Sequence, residues 1–247
     1  MFYDDLSPFY HLLYEDWEGA ITRQSAALDE LIVGRWGRPS GPVLDVAAGI
    51  GTQALGLAAL GYPVLASDLS IAAIARAHRE SASRALRLPC VAADFTQLPY
   101  RSAAAALLIS ADNSLPHLLT DEAILAALRE YYRCLRPGGG LVLTVRDYPP
   151  PPPAGTVETR PYGWRQWGDA RYFVSQEWRW DGPHYGLRIL AATEPGAPPV
   201  HTFSGRYYAI RLGSLLHLCA AAGFQAIEHL DGRFYQPVIL GLRPAVA

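Results

Sequence analysis

Two carboxylates and two glycines carry the chemistry that can be read first. Val43-Leu44-Asp45-Val46-Ala47-Ala48-Gly49-Ile50-Gly51-Thr52 is an apolar run that ends in an acid and passes into a turn with glycines one residue apart. A second apolar run, Pro63 to Ser67, closes on Asp68-Leu69-Ser70. Strand, glycine turn, helix, strand and acid is the order by which a parallel α/β sheet lets a nucleoside approach its backbone. Glycine lacks the Cβ that would block the approach, and Asp68 is placed to accept hydrogen bonds from a ribose diol.

The segment Gly49 to Ala54 also fits the dinucleotide pattern Gly-x-Gly-x-x-Gly/Ala, so a nicotinamide-dependent oxidoreductase has to be weighed. Three features point away from it. Asp45, ending the first strand, puts negative charge where a pyrophosphate would be repelled and a cationic ligand welcomed. Asp94 and Phe95 follow the third apolar run, where a carboxylate can accept from an adenine amino group. The last two strands, Phe224–Leu230 and Tyr235–Leu242, are joined by the short link Asp231 to Phe234 and must pair antiparallel.

The elements that position these residues alternate regularly. Strands are expected at 43–47, 63–67, 88–92, 104–110 and 141–145, and helices at 52–60, 71–84 and 121–135. Ser70 and Thr120 are the N-caps, Gly61 stops the first of these helices, and Arg136-Pro137-Gly138-Gly139-Gly140 breaks the chain before the fifth strand. Two helical stretches with aromatic residues, Leu6 to Trp17 and Ala20 to Val33, precede the first strand. Five prolines, Pro149 to Pro153, end the alternation, and three short strands follow at 171–180, 185–193 and 200–208. A helix over 212–222 returns the chain to the sheet. We expect one α/β domain: a helical lid over 1–40, a nucleoside-binding core over 41–148, a β-rich cap over 149–208 and completion of the sheet over 209–247.

Composition excludes several classes. The chain has 247 residues and a formal net charge of −2, so no positive field invites nucleic acid or an anionic membrane. All 21 basic residues are arginine, which removes lysine Schiff-base chemistry. Cys90, Cys134 and Cys219 are far apart without a Cys-x-x-Cys pair, so neither a disulfide framework nor a metal site is expected. With no leader-like segment after Met1, a cytoplasmic location is expected. No Gly-x-Ser-x-Gly elbow supports a hydrolase. Asp147-Tyr148-Pro149-Pro150 shares residues with the Asp-Pro-Pro-Tyr signature of nucleic-acid amino-methyltransferases, but it follows the fifth strand and has another order.

Taken together, Val43–Thr52, Asp68, Asp94-Phe95 and Arg136–Gly140 resemble the class I S-adenosylmethionine-dependent methyltransferases, with a Rossmann-like, mostly parallel seven-stranded sheet holding one antiparallel strand. More narrowly, Tyr3-Asp4, Tyr14-x-x-Trp17 with Arg23, Asp112 to Leu118, and Arg146-Asp147-Tyr148 resemble the glycine/sarcosine N-methyltransferase group. The resemblance implies S-adenosylmethionine as cofactor and a small-molecule acceptor, with no metal. It implies that Asp68 and Leu69 meet the ribose, and that Asp94 and Phe95 hold the adenine. Ala47 and Gly49 offer backbone to the methionine end, and Asp45 and Gly51 count among the cofactor-binding residues. Arg23 pairs the methionine carboxylate, and Tyr14, Trp17, Asp112 and His117 flank the cofactor.

Methyl transfer from a sulfonium needs alignment of nucleophile, methyl and sulfur, and exclusion of water. Tyr3, Asn113 and His117 are the candidates for the reacting centre, and Tyr10, Asn113 and Arg146 for the acceptor. Each has a plainer reading. Tyr10 can be a core aromatic, Asn113 a turn cap, and Arg146 a surface ion pair. His117 can be a hydrogen-bonded ring with no base role. The tryptophans of the cap, Trp164, Trp167, Trp178 and Trp180, either roof the acceptor site or pack the cap itself. The acceptor atom is read as an amine nitrogen. An oxygen or carbon acceptor, or a non-catalytic cofactor-binding subunit, remains the alternative.

Overall fold

A computed structural model describes residues 2–245. The N-terminal lid is a short helix α1 (Phe2–Leu6), a 3-10 turn (Tyr10–Leu13) and a long helix α2 (Trp17–Trp36). The central sheet then builds in alternation: β1 (Val43–Asp45), α3 (Thr52–Ala59), β2 (Val64–Asp68), α4 (Ile71–Ser83), β3 (Cys90–Ala92), β4 (Ala105–Ser110), α5 (Asp121–Cys134) and β5 (Leu135–Thr144). The cap is four strands, β6 (Val157–Trp167), β7 (Ala170–Asp181), β8 (His184–Ala192) and β9 (His201–Tyr208). Helix α6 (Leu212–Ala221) and strands β10 (Gln225–Leu230) and β11 (Val238–Leu242) complete the domain.

The sheet order is β10-β11-β5-β4-β1-β2-β3. β11 is antiparallel to both β5 and β10, so the reversed strand expected at the end of the chain is the last one. Strands β1 and β4, and β5 from Gly139 onward, are buried, as a sheet covered on both faces requires. One core lies between the sheet and helices α2, α3 and α4, around Leu28, Ile32, Val43 and Leu55. The other lies against α5 and α6, around Leu44, Leu128, Leu141 and Leu215.

The expected caps form. Ser70 Oγ accepts the Ala73 N–H at 3.1 Å, and Thr120 Oγ1 accepts the Ala123 N–H at 3.2 Å. Gly61 takes φ +84° just after α3. Two expectations differ. The Arg136–Gly140 segment does not interrupt the chain: α5 passes straight into β5, and the register against β4 shifts between Ala105 and Leu107 to absorb the glycines. Gly140 is glycine because a Cβ there would come within 2.7 Å of the Trp36 ring. The cap holds a fourth strand, β6, whose Pro161 and Gly163 flank a bulge in its pairing with β7. Those two residues hide it from a reading by strand propensity. The cap sheet packs its own core, Val174, Trp178, Trp180, Tyr185, Leu187 and Tyr207, against Leu6 and Leu12 of the lid.

Candidate active site

Two cavities meet under the lid. The smaller, about 330 Å³, lies beyond the ends of β1 and β2 and is lined by Ala47, Gly49, Asp68, Leu69, Asp94 and Phe95, with His117 on its far side. The larger, about 720 Å³, lies between the lid and the cap and is lined by Arg146, Tyr148, Trp178, Tyr207 and Tyr235, among others. Phe2, Tyr3, Tyr10, Tyr14 and Asp112 line both. They are the wall between the cavities.

The smaller cavity follows from the glycine turn. Gly49 takes φ +53°, and a Cβ there would meet no protein atom within 4 Å, so it would occupy space the cavity offers to a ligand. Gly51 is needed for another reason. At φ +95° a Cβ would press on Leu55 and Ala77 at 3.1 and 3.2 Å, so its absence lets α3 and α4 pack while the turn opens the helix. Gly51 does not line the cavity. Asp68 Oδ2 accepts the Gly49 N–H at 2.7 Å and Oδ1 accepts the Ser70 N–H at 2.8 Å. Each oxygen keeps a second lone pair for a diol. Burial raises the Asp68 pKa, and the two backbone donors oppose that rise. Asp94 Oδ1 fixes its own turn through the Thr96 N–H and hydroxyl, both at 2.7 Å, and Phe95 stands edge-on to Tyr131.

Asp45 lies beneath the turn instead of in the cavity. It is 1% exposed, Oδ1 takes a 3.4 Å bond from the Ala47 N–H, and Oδ2 has no partner among the described residues. Burial pushes its pKa up to about 7. Trp17 also stays out of both cavities. Its indole donates to Thr52 Oγ1 at 2.9 Å and its ring lies under Arg76 and Arg84, so it fixes the start of α3 from behind. Arg23 lines the larger cavity, not the smaller one, with its side chain 68% exposed and 3.6 Å from Asp16.

Asn113 is the main correction. It is 1% exposed and lines neither cavity. Asp112 and Asn113 take φ +56° and +62°, two successive left-handed residues that turn the chain sharply after β4. That turn sends the Asp112 carboxylate to the cavity wall and the Asn113 amide inward. Asn113 Nδ2 donates to the Tyr148 hydroxyl at 2.7 Å, and its Oδ1 accepts the Arg146 N–H at 3.0 Å. It therefore places two residues of the larger cavity without lining it.

Three donors converge on Asp112. Tyr10 and Tyr14 give their hydroxyls to Oδ2 at 3.0 and 3.4 Å, and Gln236 Nε2 reaches Oδ1 at 3.2 Å. Tyr3 hydrogen-bonds the His117 Nε2 at 2.8 Å and the Tyr207 hydroxyl at 2.9 Å. Burial, then the charge of Arg146, pull the His117 pKa down to about 4, so the ring is neutral near pH 7 and a weak base. Burial holds Tyr3, Tyr10 and Tyr14 protonated, with pKa values well above the usual phenol.

The sequence reading did not single out Tyr207, Gln236 or Tyr185. Tyr207 and Tyr185 face each other across β8 and β9, and their inward parity on the cap strands is the only signal that could have found them. Gln236 sits in the irregular link before β11 and has no pattern signal.

The topology is that of the class I methyltransferase fold. Residues 43–139 match the family described as a methyltransferase domain. A demethylmenaquinone methyltransferase of Beutenbergia cavernae is 34% identical over 151 residues, 60% of this chain and 58% of that one, so the likeness spans less than two thirds of the curated relative. The CcbJ methyltransferase of Streptomyces caelestis superposes with a TM-score of 0.76 at 18% identity, over 100% of this chain and 99% of that one. The S-adenosylmethionine-bound CalS10 of Micromonospora echinaspora, an amino pentose methyltransferase of calicheamicin biosynthesis, superposes at 0.71 with 19% identity, over 95% and 94% of the two chains. Identities this low speak for the fold alone.

Proposed function

We propose that this protein transfers a methyl group from S-adenosylmethionine to an amine nitrogen of a small molecule. The observation that carries the reading is the shared wall: Tyr3, Tyr10, Tyr14 and Asp112 line both cavities, which is what a group passing from one ligand to another requires. When bound, the cofactor supplies a sulfonium methyl that reacts by in-line displacement. Asp68 grips the ribose, Asp94 and Phe95 hold the adenine, and the Gly49 turn admits the chain that joins them to the sulfur.

At the wall, the tyrosine rings and oxygens surround the line of transfer and exclude water. An attacking amine gains positive charge as the methyl arrives, and the Asp112 carboxylate faces that developing charge. Tyr3 is oriented by Tyr207 and by a neutral His117, which acts as an anchor for the hydroxyl. Arg146, beside Tyr207 in the larger cavity, holds an anionic group of the acceptor.

The sequence segments shared with the glycine/sarcosine N-methyltransferase group, and a structural neighbour titled an amino pentose methyltransferase, support nitrogen as the acceptor atom. A screen of small amines, alcohols and phenols with S-adenosylmethionine tests this, read by S-adenosylhomocysteine release and product mass spectrometry. Methylated amines are the expected products. Methylation confined to oxygen or carbon would overturn the nitrogen assignment.

A further inference from the structure

The two cavities open to solvent in different places. Phe2, Tyr3, Tyr10, Tyr14 and Asp112 line both, and none of them is exposed. The exposed residues of the smaller cavity are Leu69, Asp94 and Arg206. Those of the larger are Arg23, Asp147, Pro149, Arg160 and Tyr235. Among the described residues, each exposed one therefore borders a single cavity. The smaller cavity has its own mouth beside Leu69, which is 53% exposed, and the larger has another beside Tyr235, which is 52% exposed.

The sheet sets the distance between the mouths. Leu69 follows β2 and Asp94 follows β3, whereas Asp147 and Pro149 follow β5. Tyr235 precedes β11, whose start pairs with the end of β5 through Val238 and Thr144. In the order β11-β5-β4-β1-β2-β3, the ends of β2 and β5 stand three strand spacings apart, about 14 Å. Those of β3 and β11 stand five apart, about 24 Å. Asp112, just after β4, lies between.

The partition is fastened by hydrogen bonds. Tyr10 and Tyr14 donate to Asp112, and Tyr3 is bonded to His117 and Tyr207. Helix α1 roofs the smaller mouth. Asp4 ties it to Ser70 and Ala72 beside Leu69, and the Phe2 ring packs on Gly205, where a Cβ would come within 3.1 Å of it. A methyl group can cross this partition at van der Waals contact, but a nucleoside cannot cross without breaking those bonds. A nucleoside passing Leu69 breaks no bond of the partition.

We infer that cofactor and acceptor use separate mouths, the adenosyl ligand passing between Leu69, Asp94 and Arg206, so that spent cofactor is replaced while the acceptor stays seated. This rests on the assignment of the smaller cavity to the cofactor.

A covalent plug at each mouth tests it. Leu69→Cys and Pro149→Cys are made separately in a Cys90→Ser background, since Cys134 and Cys219 are buried, and each is labelled with a polyethylene-glycol maleimide. Stopped-flow tryptophan fluorescence gives the association and dissociation rates of S-adenosylhomocysteine, each labelled variant being compared with itself unlabelled. The label on Leu69→Cys is expected to slow both rates at least about tenfold, and the label on Pro149→Cys to change them by less than about twofold. Arg206→Cys and Asp147→Cys take their places should either variant fail to fold. Equal slowing by the two labels, slowing by the Pro149→Cys label alone, or rates unchanged by the Leu69→Cys label would each overturn the inference. An unlabelled parent that does not bind S-adenosylhomocysteine would instead remove the cofactor assignment on which it rests.

Discussion

The Tyr10 hydroxyl lies 3.0 Å from Asp112 Oδ2, and this pair joins the lid to the end of β4 at the boundary between the two cavities. The lid is therefore part of the site, because without it the carboxylate loses two of its three donors. Tyr10→Phe keeps the ring and removes only that bond. Turnover should fall roughly tenfold, as expected for a hydrogen bond to a charged group, while cofactor affinity changes little. Steady-state kinetics with a cofactor titration alongside checks the split.

A second contact latches the lid. Asp4 Oδ1 accepts the Ser70 hydroxyl at 2.6 Å and the Ala72 N–H at 3.1 Å, so a lid residue caps the start of α4 beside the ribose acid. Arg76 of α4 reaches back to the Ser7 carbonyl. Asp4→Ala should speed cofactor dissociation by roughly twofold to tenfold, with a smaller change in the association rate. Stopped-flow tryptophan fluorescence measures both.

Two contributions to the pH dependence of stability oppose each other. His117 has a folded pKa of about 4 against 6.5 for the free group, so the unfolded chain binds the extra proton, and stability from this group is lost as pH falls from about 6.5 to 4. Asp45 runs the other way. Its folded pKa of about 7 against 3.8 means the native state binds the extra proton, and stability from this group is lost as pH rises from about 4 to 7. The two offset each other across nearly the same window. His117→Gln should expose stability that falls with rising pH, and Asp45→Asn stability that rises with it, each by on the order of 2 kcal/mol. Urea unfolding at several pH values reads the slopes; two variants with the slope of the parent would refute the assignment.

Much of this architecture was legible because its signals are local. Ser70 and Thr120 cap where their types and positions said they would, and the short link after Leu230 forced the reversed strand. Gly49, Asp68, Asp94 and Phe95 fall together because a parallel sheet places the ends of successive strands along one edge. What stayed hidden depends on packing. Pro161 and Gly163 disguise β6, whose bulge is set by its partner β7. Arg136–Gly140 reads as a break, yet Gly140 is there to let Trp36 approach. Asn113 has the type and position of a reacting residue, and only the direction of a left-handed turn sends its amide away from both cavities. Tyr207 and Gln236 reach the site from the cap and from the link before β11, 204 and 124 residues in sequence from Tyr3 and Asp112.

That reading of Asn113 has its own test. Asn113→Ala loses bonds to Tyr148 and to the Arg146 backbone and puts alanine, which tolerates φ +62° less well than asparagine, at that turn, for a cost of about 2–4 kcal/mol. Asn113→Gly relieves the backbone strain alone and should recover about 1 kcal/mol of it. Both variants should raise KM for the acceptor more than they lower kcat. A large fall in kcat with unchanged stability would return Asn113 to the reacting centre.

The account rests on the smaller cavity holding an adenosyl group by its sugar and base, and isothermal titration of the purified chain tests that most directly. S-adenosylmethionine and S-adenosylhomocysteine are expected to bind one per chain, NAD not to bind, and a folded Asp68→Asn variant to lose at least roughly tenfold in affinity for both. Binding of NAD in preference to S-adenosylmethionine, or an Asp68→Asn variant with undiminished affinity, would contradict it.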